Sequence, residues 1–226
     1  MANVAWSSYL PDLLVEVPGV PTPIAESKIR DALIEFCYQS SIWRQDLSPI
    51  DVTEDVDTYT LTNPTGAQIV TPHHVEFDDT PVLPIPEDLL DHVSRNWRNS
   101  ELGYHFFMED PNTLRLTWLP RKTITGGLDV GVVLKPSRSS ADAPDWLFEN
   151  WKEPIVHGAA ARCLEMPNKR WSAVGTPSDG RRTRGIRRAN SSLHWDRFWG
   201  GVSKALGVAT KSHTRTGTRV EFTPFA

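Results

Sequence analysis

Most of the familiar signatures of enzyme chemistry are missing from this 226-residue chain. It has no glycine-rich phosphate loop, no Gly-x-Ser-x-Gly elbow, no His-Glu-x-x-His and no Cys-x-x-Cys. It therefore carries no motif for nucleotide hydrolysis, serine hydrolysis, zinc proteolysis or thiol redox work, and an enzyme is not expected. No apolar run of about eighteen residues occurs, so no membrane span is expected. The opening residues, MANVAWSSYLPDLL, lack a basic start followed by an apolar core, which argues against a secretory signal. Cysteine is scarce. Cys37 and Cys163 each fall on an apolar helical face and read as buried reduced thiols, not as a disulfide or ligands.

The composition that remains, 39% hydrophobic and 23% charged, is that of a globular chain large enough for one domain, or one domain carrying a subdomain. Tryptophan is plentiful, at nine, and large rings favour both cores and protein interfaces. Charge is unevenly placed. Lys169 to Arg219 holds 12 Lys and Arg against Asp179 and Asp196 alone, whereas the remainder holds 12 basic and 26 acidic residues. A split of this kind suits a chain whose parts face different neighbours.

The longest helical pattern is Pro144 to Trp171. Trp151, Ile155, Ala159, Cys163 and Met166 share one face, and Gly158, Ala159, Ala160 and Ala161 make a small-residue collar where another backbone can come close. Pro144 suits the first turn, Pro167 ends the helix, and Pro154 predicts a kink because it cannot donate to Asn150. A first helix is expected from Pro23 to Trp43, with Ile29, Ala32, Leu33, Phe36, Cys37 and Ser40 as its stripe and the Ile155 face as its partner. A third helix is expected from Ile186 to Leu206, with Leu193, Phe198 (or Arg197), Val202 and Ala205 inward and Gly200-Gly201 weakening its middle.

Between the first two helices the period becomes that of strands. Candidates are 56–61, 67–70, 74–77, 81–84, 104–108, 114–119 and 128–134, with a short helix at 87–98. Turns are read at Asn63-Pro64-Thr65-Gly66, Asp78-Asp79, Glu109-Asp110-Pro111-Asn112 and Gly126-Gly127. The expected architecture is α+β: an extended segment 1–22, a small helical bundle from 23–48 and 144–211, an inserted antiparallel β-sheet subdomain at 49–143, and an extended C-terminal tail, 212–226.

Few constellations offer chemistry. Neighbours on a strand point to opposite faces, so His73 and His74 are not expected to share a metal, and no metal or cofactor is expected. His157, beside the helical stripe, reads as a core or subunit-contact histidine, since no Asp, Ser or Cys stands at helical spacing from it. Arg181, Arg182, Arg184, Arg187 and Arg188 are candidates for DNA or subunit contact, although no aromatic interleaves with them for stacking. The tail reads as a strand or hook that adds to a partner, with Arg215, Arg219, Val220, Phe222 and Phe225 as its contact residues.

Taken together, the chain resembles the head-to-tail adaptor (connector) proteins of tailed bacteriophages. The likeness spans Ile24 to Leu206. It rests on Ala32-Leu33-Ile34-Glu35-Phe36-Cys37 in the first helix, Asp57-Thr58-Tyr59-Thr60-Leu61 before a proline-glycine turn, the sheet insertion, and Pro144-Asp145-Trp146-Leu147 leading to Ile155, Gly158-Ala159-Ala160-Ala161-Arg162-Cys163-Leu164, Met166-Pro167 and Trp171. The resemblance implies a helical bundle with an inserted β subdomain, and a ring of about twelve copies under the portal protein. Such a ring extends the DNA channel, carries genomic DNA without binding it specifically, and offers a surface to other neck and tail proteins. It implies a place in the virion neck after assembly in the host cytoplasm, away from any membrane, with residues 212–226 reaching into the portal. The basic insertion, Gly175 to Arg188, departs from the family pattern. The alternatives are another tail, neck or baseplate structural protein, and a small DNA-binding protein using the arginine run.

Overall fold

The computed structural model describes residues 2–93, 105–166, 171 and 180–213, with side chains left aside at 91–93, 180–190 and 212–213. The fold is α+β, as expected, and divides into two compact units: Met1–Ile42 with Pro136–Ala226, and Trp43–Lys135.

The first unit is helical. Its N-terminal segment is not extended throughout, contrary to the expectation for residues 1–22. β1 (Asn3–Ala5) pairs antiparallel with β11 (Asp142–Pro144), a 3-10 turn follows at Trp6–Tyr9, and α1 runs over Leu10–Glu16. The reason is burial. Trp6, Tyr9 and Leu13 all enter the core, the Trp6 indole donates to the Ser140 carbonyl at 2.9 Å, and the Tyr9 ring meets Phe148 edge-on at 4.9 Å. Pro11 costs nothing in this helix because it stands in the first turn, where its missing N–H has no partner to lose.

α2 (Thr22–Ser40) buries the anticipated stripe, Ile29, Ala32, Leu33, Phe36, Cys37 and Ser40, and Ala25 one turn before it. It stops before Trp43 because Ser41 turns left-handed, φ 49°, and its N–H caps the Cys37 carbonyl. α4 (Asp145–Leu164) starts one residue later than expected, with Pro144 at the extended N-cap position instead of inside the first turn. The kink is present: Trp151, three residues ahead of Pro154, leaves helical geometry at φ −130°.

α5 (Gly180–His213) is longer at both ends than the pattern indicated. Among its described side chains Ser191, His194, Phe198, Val202, Ala205 and Ala209 are buried, whereas Leu193, expected inward, is 51% exposed. Leu193 sits one residue off a stripe whose members are three or four apart. The two glycines of the α4–α5 contact are explained by closeness. The Phe198 ring occupies the space above Gly158, and Pro154 occupies the space above Gly201, so a Cβ at either glycine would collide. The local helix penalty of Gly201, about 1 kcal/mol relative to Ala, is thus exchanged for interhelical packing.

The second unit contains two sheets. One follows the order β2 (Arg44–Asp46), β10 (Ile124–Pro136), β5 (Ala67–Phe77), β6 (Thr80–Pro81), with β3 (Ile50–Val52) also on β10. The other follows the order β4 (Thr58–Thr60), β9 (Thr113–Leu116), β8 (His105–Asp110), β7 (Leu83–Pro84), and α3 (Glu87–Val93) connects β7 to β8. Three readings are corrected here. The sheet is not wholly antiparallel, since β7 and β8 pair parallel, as a pair separated by a helical crossover can. Segments 67–70 and 74–77 are one strand, carried through Pro72. Gly126-Gly127 is no turn between strands but an irregularity inside β10, where Gly126 adopts φ 63° and the register against β3 shifts. Asp78-Asp79 does form the turn between β5 and β6, both residues left-handed, as a two-residue hairpin requires.

Candidate functional site

The residues singled out in the tail, Arg215, Arg219, Val220, Phe222 and Phe225, lie outside the described residues, as does the loop at 175–179. The arginine run falls on the first turns of α5, so it belongs to a helix and not to a loop.

Further along α5 the surface is aromatic and apolar. Trp195, Trp199 and Leu206 recur at steps of four and seven beside the buried stripe. Trp199 is 42% exposed, Leu206 43%, and the two indoles stack at 6.4 Å with an angle of 22°. The end of α4 holds this flank in place. Glu165 accepts from Ser191 Oγ at 2.8 Å and from the Trp195 indole at 2.6 Å, and the Arg162 guanidinium lies over the Trp195 ring at 4.8 Å. Arg162 also donates to the Gly158 carbonyl at 2.9 Å.

Arg162 and Glu165 reach a shallow cleft of about 510 Å³, lined further by Lys28, Asp31, Glu35 and Arg138. Its charges answer one another, with Lys28 and Arg138 at 3.4 and 3.7 Å from Asp31, so the cleft offers no single sign to a ligand. Cys37 and Cys163 are free and buried, as expected. Burial pushes both thiols up, Cys163 to about 11, so neither is a ready thiolate.

The sequence reading missed a partner for His157. Its Nδ1 lies 3.0 Å from Nδ1 of His194 on α5, and both rings are buried. Arg197 faces His157 Nε2 at 3.2 Å, while Glu16 of α1 stands 3.7 Å from His194 Nε2 and Glu153 3.8 Å from His157 Nε2. Burial lowers the pKa of both imidazoles; Arg197 lowers it further in each, His157 also lowers that of His194, and the carboxylates oppose the shift. No spacing rule joins residues 157 and 194, and the expected inward residues of the third helix did not include His194.

The second unit overturns another expectation. His73 and His74 do not point to opposite faces in isolation from one another. Their ring centroids lie 5.6 Å apart, and both rings crowd the space above Gly131 of β10. Along β5 burial falls on Ile69, Pro72 and Val75, steps of three, before alternation resumes at Phe77. The two-residue period on which the expectation rested is interrupted at Pro72, which has no N–H for a ladder, and Gly131 leaves room for both rings.

Among the described residues no helix is long and apolar enough to cross a membrane. No protein-family model matches the chain, and no curated protein matches it.

Proposed function

We propose that the chain is a structural virion protein, a head-to-tail adaptor that forms a ring under the portal, extends the DNA channel and provides the surface on which the tail attaches. The observation that carries this reading is the outward flank of α5. Trp195, Trp199 and Leu206 stand on a long helix braced by Glu165 and Arg162, and an apolar row held in solvent on a rigid element suits a protein neighbour. A second copy packed side by side would cover it. The build of the chain agrees with the family resemblance, since described residues before and after the two-sheet unit in sequence belong to one helical unit. In this role the protein works by assembly, without a cofactor, in the virion neck. The arginines at the start of α5 keep a DNA-binding reading in view, and phosphate contact would make such binding steeply salt-dependent.

Native mass spectrometry of the purified chain, alone and mixed with a portal ring, tests the proposal. The expected result is addition to the portal in a fixed multiple. A folded chain that never associates with portal rejects the adaptor role, and salt-sensitive DNA binding in its place would establish the other reading.

A further inference from the structure

Three metal-ligating side chains meet in the second unit, on residues the adaptor reading does not use. Asp46 lies on β2 directly opposite Gly131 of β10, and β10 runs between β2 and β5, the strand of His73 and His74. Two strands that flank a third are about 9.6 Å apart, too far for short side chains to meet over an ordinary residue. Gly131 removes the obstacle. A Cβ there would stand 2.7 Å from His74 Nδ1 and 2.8 Å from His73 Nε2, so any other residue would displace both rings. One nitrogen from each imidazole and one Asp46 oxygen all lie within 4.8 Å of one another. His74 has a further feature of a ligand. Its Nε2 stands 3.7 Å from a Glu76 carboxylate oxygen, and its Nδ1 is turned toward Gly131.

We infer that Asp46, His73 and His74 form a site for a divalent transition metal of the zinc class, which clips β2 to β5 across Gly131. Two imidazoles and one carboxylate suit zinc and its neighbours, whereas calcium and magnesium take oxygen sets. Ligand atoms around a tetrahedral zinc are about 3.3 Å apart, so closure from the observed spacing shortens the separations by up to about 1.5 Å, shared among the three side chains. All three side chains have solvent on one side, Asp46 most of all, which leaves the entry path and a fourth position for water. The chemical consequence is structural. The three-residue strand β2 gains a second anchor beyond its ladder to β10.

The test uses the untagged full chain. Zinc is titrated by calorimetry, cobalt serves as the visible probe of coordination geometry, and melting is followed with added zinc. The expected result is one zinc per chain, tetrahedral cobalt absorption, and a melting temperature that rises with zinc concentration. The His73→Gln/His74→Gln double variant should lose the binding and the rise in melting temperature. Asp46→Asn, at an exposed position that leaves the fold intact, should weaken binding by about tenfold or more. Circular dichroism of the metal-free variants establishes that each is folded. Absence of stoichiometric binding by the folded wild type, or unchanged affinity in either folded variant, overturns the site.

Discussion

His157 and His194 carry the most consequential side-chain arrangement in the helical unit. Arg197 can only donate, so His157 Nε2 accepts and its proton sits on Nδ1, which donates to His194 Nδ1; His194 then keeps its own proton on Nε2, toward Glu16. The hydrogen bonds therefore require two neutral rings. Both folded pKa values lie below the ordinary 6.5, so below that pH the unfolded chain binds more protons than the folded one. The contribution of the pair is present above pH 6.5 and is lost as pH falls through the lowered folded values. The melting temperature is expected to drop between about pH 7.5 and 5 more steeply in the wild type than in a His157→Gln/His194→Gln variant. Parallel curves would mean that the pair is not the source. The sequence left His157 as a core or subunit-contact histidine beside the stripe, and a hydrogen bond between residues 37 apart depends on the rotation of two helices about their axes, which no local pattern encodes.

Helix faces were legible where apolar residues recur in phase. The α2 stripe matched residue by residue, and Phe198, Val202 and Ala205 of α5 are buried as expected. Leu193 shows why hydrophobicity alone misassigns a face. It lies out of phase with Ser191 and His194, which are small or polar yet buried because α4 presents Glu165 and His157 to them. The difference is measurable. Leu193→Glu is expected to change the unfolding free energy by no more than about 0.5 kcal/mol, since the side chain is half in solvent. Phe198→Ala, which empties the space over Gly158, should cost about 3–5 kcal/mol. Denaturant unfolding of the two variants checks both, and similar losses would contradict the assigned face. Strands were harder to read than helices. β5 looked like two strands because Pro72 interrupts its alternation, and Gly126-Gly127 looked like a turn because a glycine pair serves a bulge equally well.

At the scale of the whole molecule, the adaptor reading makes a claim about parts. Removal of residues 212–226 leaves in place every residue described as buried in the helical unit. The truncated chain is expected to keep its melting temperature within a few degrees, about what 1 kcal/mol is worth at this size, and to lose portal binding in a pull-down with portal rings. Normal binding by the shortened protein would remove the tail from the mechanism. The sequence by itself determined the α+β class, the α2 stripe, the kink at Pro154 and the burial of the two cysteines. Each of these depends on spacing along one segment or on the chemistry of one residue. Only the tertiary structure decided that the N-terminal segment is built into the helical unit, that His157 meets His194, and that His73, His74 and Asp46 converge over Gly131. Those outcomes depend on which strands neighbour which and on how closely two backbones approach, and residues far apart in the chain set both.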